Sequence, residues 1–165
     1  MEPIRIIHGP KTKLDRPERI SIDPVNNLLA VTTVPGVLIF DRTANGDVAP
    51  KWIIQGPNTG IGGEGNSLAT PLLSPEGKKI IVAGGTRATT TANGSTVANR
   101  GGIIGVWNYG ESGDIAPWAI LHSTPLTQFR GAISIALNPD NKDLIAISGG
   151  RILSYHMPEL FKVTQ

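Results

Sequence analysis

The chain has 165 residues, 39% of them hydrophobic, with 15 Lys+Arg against 13 Asp+Glu and a formal net charge of +2. That length suits one domain with a real core, and the scattered, nearly balanced charges exclude a basic track for nucleic acid or anionic lipid. The lack of cysteine excludes disulfides, thiolate metal sites and a cysteine nucleophile.

In chain order, strand-length runs rich in β-branched residues fall between turn signals, supplied by 20 Gly and 13 Pro. Residues 4–7 open the series. A first unit follows with predicted strands at 19–22, 28–31, 37–40 and 52–54, and a second with strands at 68–73, 80–83, 103–107 and 118–121. A third unit has strands at 132–137, 144–147 and 151–155 and stops one strand short. No segment competes as a helix, so the expected class is all-β. No run is apolar enough to cross a bilayer, and the first residues do not form a secretory signal.

Two phrases recur. Asn45-Gly46-Asp47-Val48-Ala49-Pro50-Lys51-Trp52-Ile53-Ile54 returns as Ser112-Gly113-Asp114-Ile115-Ala116-Pro117-Trp118-Ala119-Ile120-Leu121, and Pro3-Ile4-Arg5-Ile6-Ile7 is a truncated copy. Asp23-Pro24, Ser74-Pro75 and Asn138-Pro139 mark the first hairpin of each unit. Pro3 to Pro50 spans 47 residues and Pro50 to Pro117 spans 67, which predicts an inserted loop at 84–102 in the second unit. Four-stranded repeats of this size imply a β-propeller.

The phrases Arg42-Thr43-Ala44-Asn45-Gly46-Asp47-Val48-Ala49-Pro50 and Pro17-Glu18-Arg19-Ile20-Ser21-Ile22-Asp23 resemble blades of NHL-repeat-like bacterial propellers. The resemblance implies half of a six-bladed propeller with blades at about 17–56, 66–123 and 131–157. It also permits an extracytoplasmic location. The superfamily includes lactonases, lyases and non-catalytic interaction platforms, so the fold alone does not select a function.

Strand arithmetic then predicts assembly. Ile4, Arg5, Ile6 and Ile7 match an outermost strand, the one the third unit lacks, and a three-bladed ring lies below the usual range of about four to eight blades. Two solutions remain open: a homodimer in which strand 3–8 completes the partner's third blade, or another propeller chain that supplies the missing blades.

Channel-mouth binding residues are expected at the starts of innermost strands: Glu18, Arg19, Glu64, Asn66 and Arg130. On the lactonase- or lyase-like reading they would form an enzyme site with calcium. Glu18 has no carboxylate counterpart in the other units, so no acidic ring is expected, and the leading reading takes no cofactor and no catalytic residue. A contact loop for carbohydrate or protein would use Arg87, Asn93, Asn99 and Arg100 with Trp107 and Tyr109, although burial in the core is the commoner fate of such aromatics. His8, His122 and His156 give no expected metal site, because His8 and His122 fall on the rim. Asp47 and Asp114 are expected to accept hydrogen bonds from turn amides. Asn93-Gly94-Ser95 matches the glycosylation pattern but needs a compartment that the sequence does not specify.

Overall fold

A computed structural model of the chain describes residues 1–61, 66–68, 70–86, 89–90, 96–97, 102–122, 124 and 134–163. The first unit is an antiparallel meander of β1 (Arg19–Asp23), β2 (Leu28–Thr32), β3 (Gly36–Asp41) and β4 (Trp52–Gln55), paired in chain order. Its first hairpin closes because the Asp23 carboxylate accepts the N–H groups of Val25 and Asn26 at 2.8 and 3.0 Å, while Asn27 takes a left-handed conformation at φ 58°. A short polar side chain tolerates that geometry at low cost.

The second unit has the same plan with a divided inner strand. β5 (Asn66–Leu68) and β6 (Leu72–Ser74) both pair with β7 (Lys79–Thr86), which continues to β10 (Ile103–Asn108) and β11 (Ala119–His122). Leu68 faces Gly84 and Leu72 faces Ile81, so one more residue lies between these pairs on the inner strand than on β7. Pro71 sits in this bulge, where a residue without an N–H is least costly. The expected continuous strand at 68–73 is therefore two strands. The expected loop at 84–102 also contains strand residues: β7 runs to Thr86, and β8 (Thr89–Thr90) pairs with β9 (Thr96–Val97).

The third sheet consists of β12 (Ser134–Asn138), β13 (Asp143–Ser148) and β14 (Arg151–His156), with β14 at its edge among the described residues. A 3₁₀ turn at Pro158–Phe161 follows and buries Leu160 and Phe161. The protein is thus all-β, with three successive antiparallel sheets compatible with propeller-like blades. No helix among the described residues is long and apolar enough to cross a membrane.

Alternation along the strands makes both sheet faces apolar. Ala30, Val37, Ile39 and Ile54 of the first sheet meet Ile80, Val82 and Trp107 of the second in one core cluster. The opposite face of the second sheet, with Ile81, Ala83, Ile104 and Val106, packs on Ile135, Leu144 and Ala146 of the third, and Leu160 and Phe161 join this cluster. Ser74 Oγ donates to the Leu160 carbonyl at 2.7 Å, which ties the 3₁₀ turn to the second sheet. The far face of the first sheet keeps Val31, Leu38 and Phe40 under Ile7 and Leu14.

Ile80 lies fully buried between the first two sheets. Ile80→Ala is expected to cost about 3 kcal/mol in urea unfolding, because deletion of buried methyl groups leaves a cavity that rigid sheets cannot collapse.

Candidate assembly surface

The second sheet grips the outer strand of the first through the loop that follows its third strand. Ile54, at the end of β4, forms a parallel bridge with Gly113 of the second unit. The Gly113 N–H donates to the Ile53 carbonyl at 2.6 Å, the Gln55 N–H donates to the Gly113 carbonyl at 3.3 Å, and Ser112 Oγ accepts the Ile53 N–H at 3.0 Å. The amino-terminal segment repeats this joint against the first unit. Ile7 bridges Gly46, the Gly46 N–H donates to the Ile6 carbonyl at 2.7 Å, the His8 N–H donates to the Gly46 carbonyl at 3.3 Å, and Asn45 Oδ1 accepts the Ile6 N–H at 2.9 Å.

The joint continues past the strand end. Asp47 Oδ1 accepts the Lys11 N–H at 2.8 Å, and Asp114 Oδ1 accepts the Asn58 N–H at 2.7 Å. Asp47 and Asp114 thus hold the 3₁₀ turns Pro10–Thr12 and Pro57–Thr59, which follow the amino-terminal segment and β4 and lie far from these carboxylates in sequence. Thr12 and Thr59 hydroxyls donate to the carbonyls of Gly9 and Gly56, both at 2.6 Å. Gly9 and Gly56 are required here: their φ angles are 131° and 127°, and an added Cβ would stand 2.4 Å from Asp47 Cγ and 2.3 Å from Asp114 Cγ.

Residues 4–12 therefore sit against the first sheet as residues 51–59 sit against the second. The parallel is positional, because Ile4, Arg5 and Ile6 belong to no sheet and the segment's β-bridge is at Ile7. Ile4 and Ile6 are exposed.

The two outer sheet faces are apolar and open at equivalent repeat positions. Pairing registers equate Ile152 with Val37 and Ile104. Val37 and Ile104 are 0% and 1% exposed within filled seams, whereas Ile152 is 76% exposed. At the other end Ile22 occupies the position of Leu73, yet is 54% exposed against 8%. Ile20 and Ile147 are also exposed beside them.

The expected channel-mouth residues do not come together as a set. Glu18 is exposed and its N–H donates to the Thr32 carbonyl. Arg19 Nε donates to the Leu68 carbonyl at 3.2 Å, linking the inner strands of the first and second sheets. Asn66 begins β5, while Glu64 and Arg130 lie outside the described residues, as do Arg87, Asn93, Asn99 and Arg100. Trp107 is fully buried, with Nε1 donating to the Ile115 carbonyl at 3.2 Å, so it belongs to the core and to no contact surface. Tyr109 lies at the same seam, 5.9 Å from Trp52 between ring centroids. Its hydroxyl donates to Asp23 Oδ2 at 2.8 Å, a pairing that sequence reasoning missed because 86 residues separate the partners.

Asp23 is fully buried. Burial acts to raise its pKa, but hydrogen bonds from Asn26, Tyr109 and Val25 outweigh it and hold the carboxyl below its ordinary 3.8. Burial first, then the Asp23 hydrogen bond and charge, push the Tyr109 phenol well above its usual range. Lys79 is buried with Nζ 2.7 Å from Asn108 Oδ1 and 5.1 Å from the centre of the Trp118 ring. Burial lowers its pKa, and the Glu111 carboxylate opposes that. Among the described residues no group of three or more His, Asp or Glu side chains is placed to hold a metal ion.

No protein-family model matches this chain, and no curated protein matches it in sequence.

Two outcomes follow from this geometry. Gly56→Ala is expected to lower stability by about 2 kcal/mol or more in urea unfolding, since it sets a Cβ against Asp114 at a positive φ. Asp23 has a lower pKa folded than unfolded, so its contribution is present above about pH 4 and is lost as pH falls through the folded value. Asp23→Asn should therefore flatten the acid limb of the stability profile, read as urea midpoints from pH 6 down to pH 2.

Proposed function

We propose that this chain is a non-catalytic β-propeller module of NHL-repeat-like type, a rigid scaffold or binding platform that works as one segment of a closed ring. The observation that carries the reading is the contrast at equivalent positions: Ile152 and Ile22 are open where Val37 and Leu73 are closed. Open apolar sheet faces of this kind mark an interaction surface. Among the described residues β14 is the last strand of its sheet, and such an edge is where a further strand adds.

The polar groups at the seams support a structural role. Arg19 spans two inner strands, Asp23 ties a hairpin to Tyr109, and Asp47 and Asp114 clamp backbone. Each has work to do in joining sheets or turns.

The parent chain is expected to associate at tens of micromolar, and Ile22→Glu with Ile152→Glu to abolish that association while preserving the circular dichroism spectrum. Unchanged association of the double variant would contradict the reading. Thermal unfolding with about 5 mM calcium, magnesium or zinc should move by less than about 1 °C, because a metal-built site would be stabilised by mass action. A rise of several degrees would favour a lactonase-like site instead.

A further inference from the structure

We infer that the neighbour at both open ends is a second copy of this chain, and that its segment 4–7 pairs with β14 in one fixed register, Ile7 opposite Ile152. This rests on the ring-module reading above and names the partner.

The register follows from the joints already present. Ile7 bridges Gly46 as Ile54 bridges Gly113, so Ile7 is the counterpart of Ile54. In the first sheet Ile54 pairs with Val37. The residue of β14 at the Val37 position is Ile152, because His156 pairs with Asp143 at the start of β13 as Asp41 pairs with Leu28 at the start of β2. The same alignment sets Leu153 opposite Ile6 and Ser154 opposite Arg5, as Leu38 is opposite Ile53 and Ile39 opposite Trp52.

Side-chain placement agrees with this pairing independently of the backbone. Within one molecule Ile54 packs into the cluster of Ile80, Val82 and Trp107 on the following sheet. Ile7 packs against Val31, Leu38 and Phe40 of the first sheet, the repeat counterparts of Val82, Gly105 and Trp107 on the second. A β14 placed beside segment 4–7 would bring Ile152 and Ile147 over the exposed Ile20 and Ile22. Both open faces are then covered by each other.

A second copy is favoured over a foreign chain because this chain holds both halves of the joint. Segment 4–7 sits on the first sheet as β4 sits on the second, and β14 is the last strand of its sheet among the described residues. Two copies related by a two-fold axis make the joint twice, with self-complementary contacts and six sheets in the ring. Pairing of segment 4–7 with β14 of the same chain would close the three described sheets into a ring, outside the range of about four to eight.

The chain has no cysteine, so engineered thiols report pairing without background. Ile7→Cys and Ile152→Cys proteins, prepared separately, mixed and oxidised, should give a covalent dimer of twice the 17.4 kDa chain mass, because paired strands bring Cα atoms within disulfide reach. Ile4→Cys mixed with Ile152→Cys, three residues out of register, should give at least tenfold less. A disulfide within single chains of the double variant, with none in the mixture, would overturn the proposal in favour of closure inside one chain. Monomeric mass in sedimentation and no cross-link would overturn the second copy. The ring-module reading would survive that result if Ile22 and Ile152 still governed association with added propeller fragments, and would fall if they did not.

Discussion

The constraint on which everything else depends is that each sheet is apolar on both faces. A meander with Ala30, Val37 and Ile39 on one side and Val31, Leu38 and Phe40 on the other cannot face water on either. It must stand between two neighbours, as the second sheet does. Burial of apolar area supplies most of the driving force, at roughly 25 cal/mol per Å², so each seam is a large share of the stability. The first and third sheets each have one seam, and their outer faces show at Ile22 and Ile152 what an unfilled seam leaves exposed.

Polar contacts then decide how the sheets are ordered and aligned. The hydrophobic seams would tolerate some sliding, since their contacts are non-directional. The glycine joints would not. Gly46 and Gly113 bond the backbone of the preceding outer segment, and Asp47 and Asp114 reach over Gly9 and Gly56 to the next turn. At the inner ends, Arg19 and Tyr109 tie the first sheet to the second, and Ser74 ties the second to the carboxy-terminal turn. The Lys142 ammonium adds an exposed contact to Glu76 at 3.2 Å, of the kind worth little by itself.

Much of the fold was legible because its signals are local. Alternation, Pro and Gly spacing and the repeated phrases placed the strands of all three units within a few residues. The exceptions have local causes too. Pro71 splits the inner strand of the second unit by a bulge, and Thr-rich sequence beyond Gly84 pairs as strand where a loop was expected. The candidate site was less legible. Trp107, an apparent contact residue, is a core residue, and Asp47 and Asp114 serve a segment far away in the chain instead of only their own turns.

Sequence by itself determined the all-β class, the three-unit repeat and the kinship of segment 4–7 with an outer strand, because each follows from period, turn chemistry and internal likeness. Tertiary structure alone decided which faces are closed, that Asp23 meets Tyr109, and that Ile7 occupies toward the first sheet the place of Ile54 toward the second. Those relations join residues tens of positions apart, and only the packing of one sheet on the next brings them within a hydrogen bond.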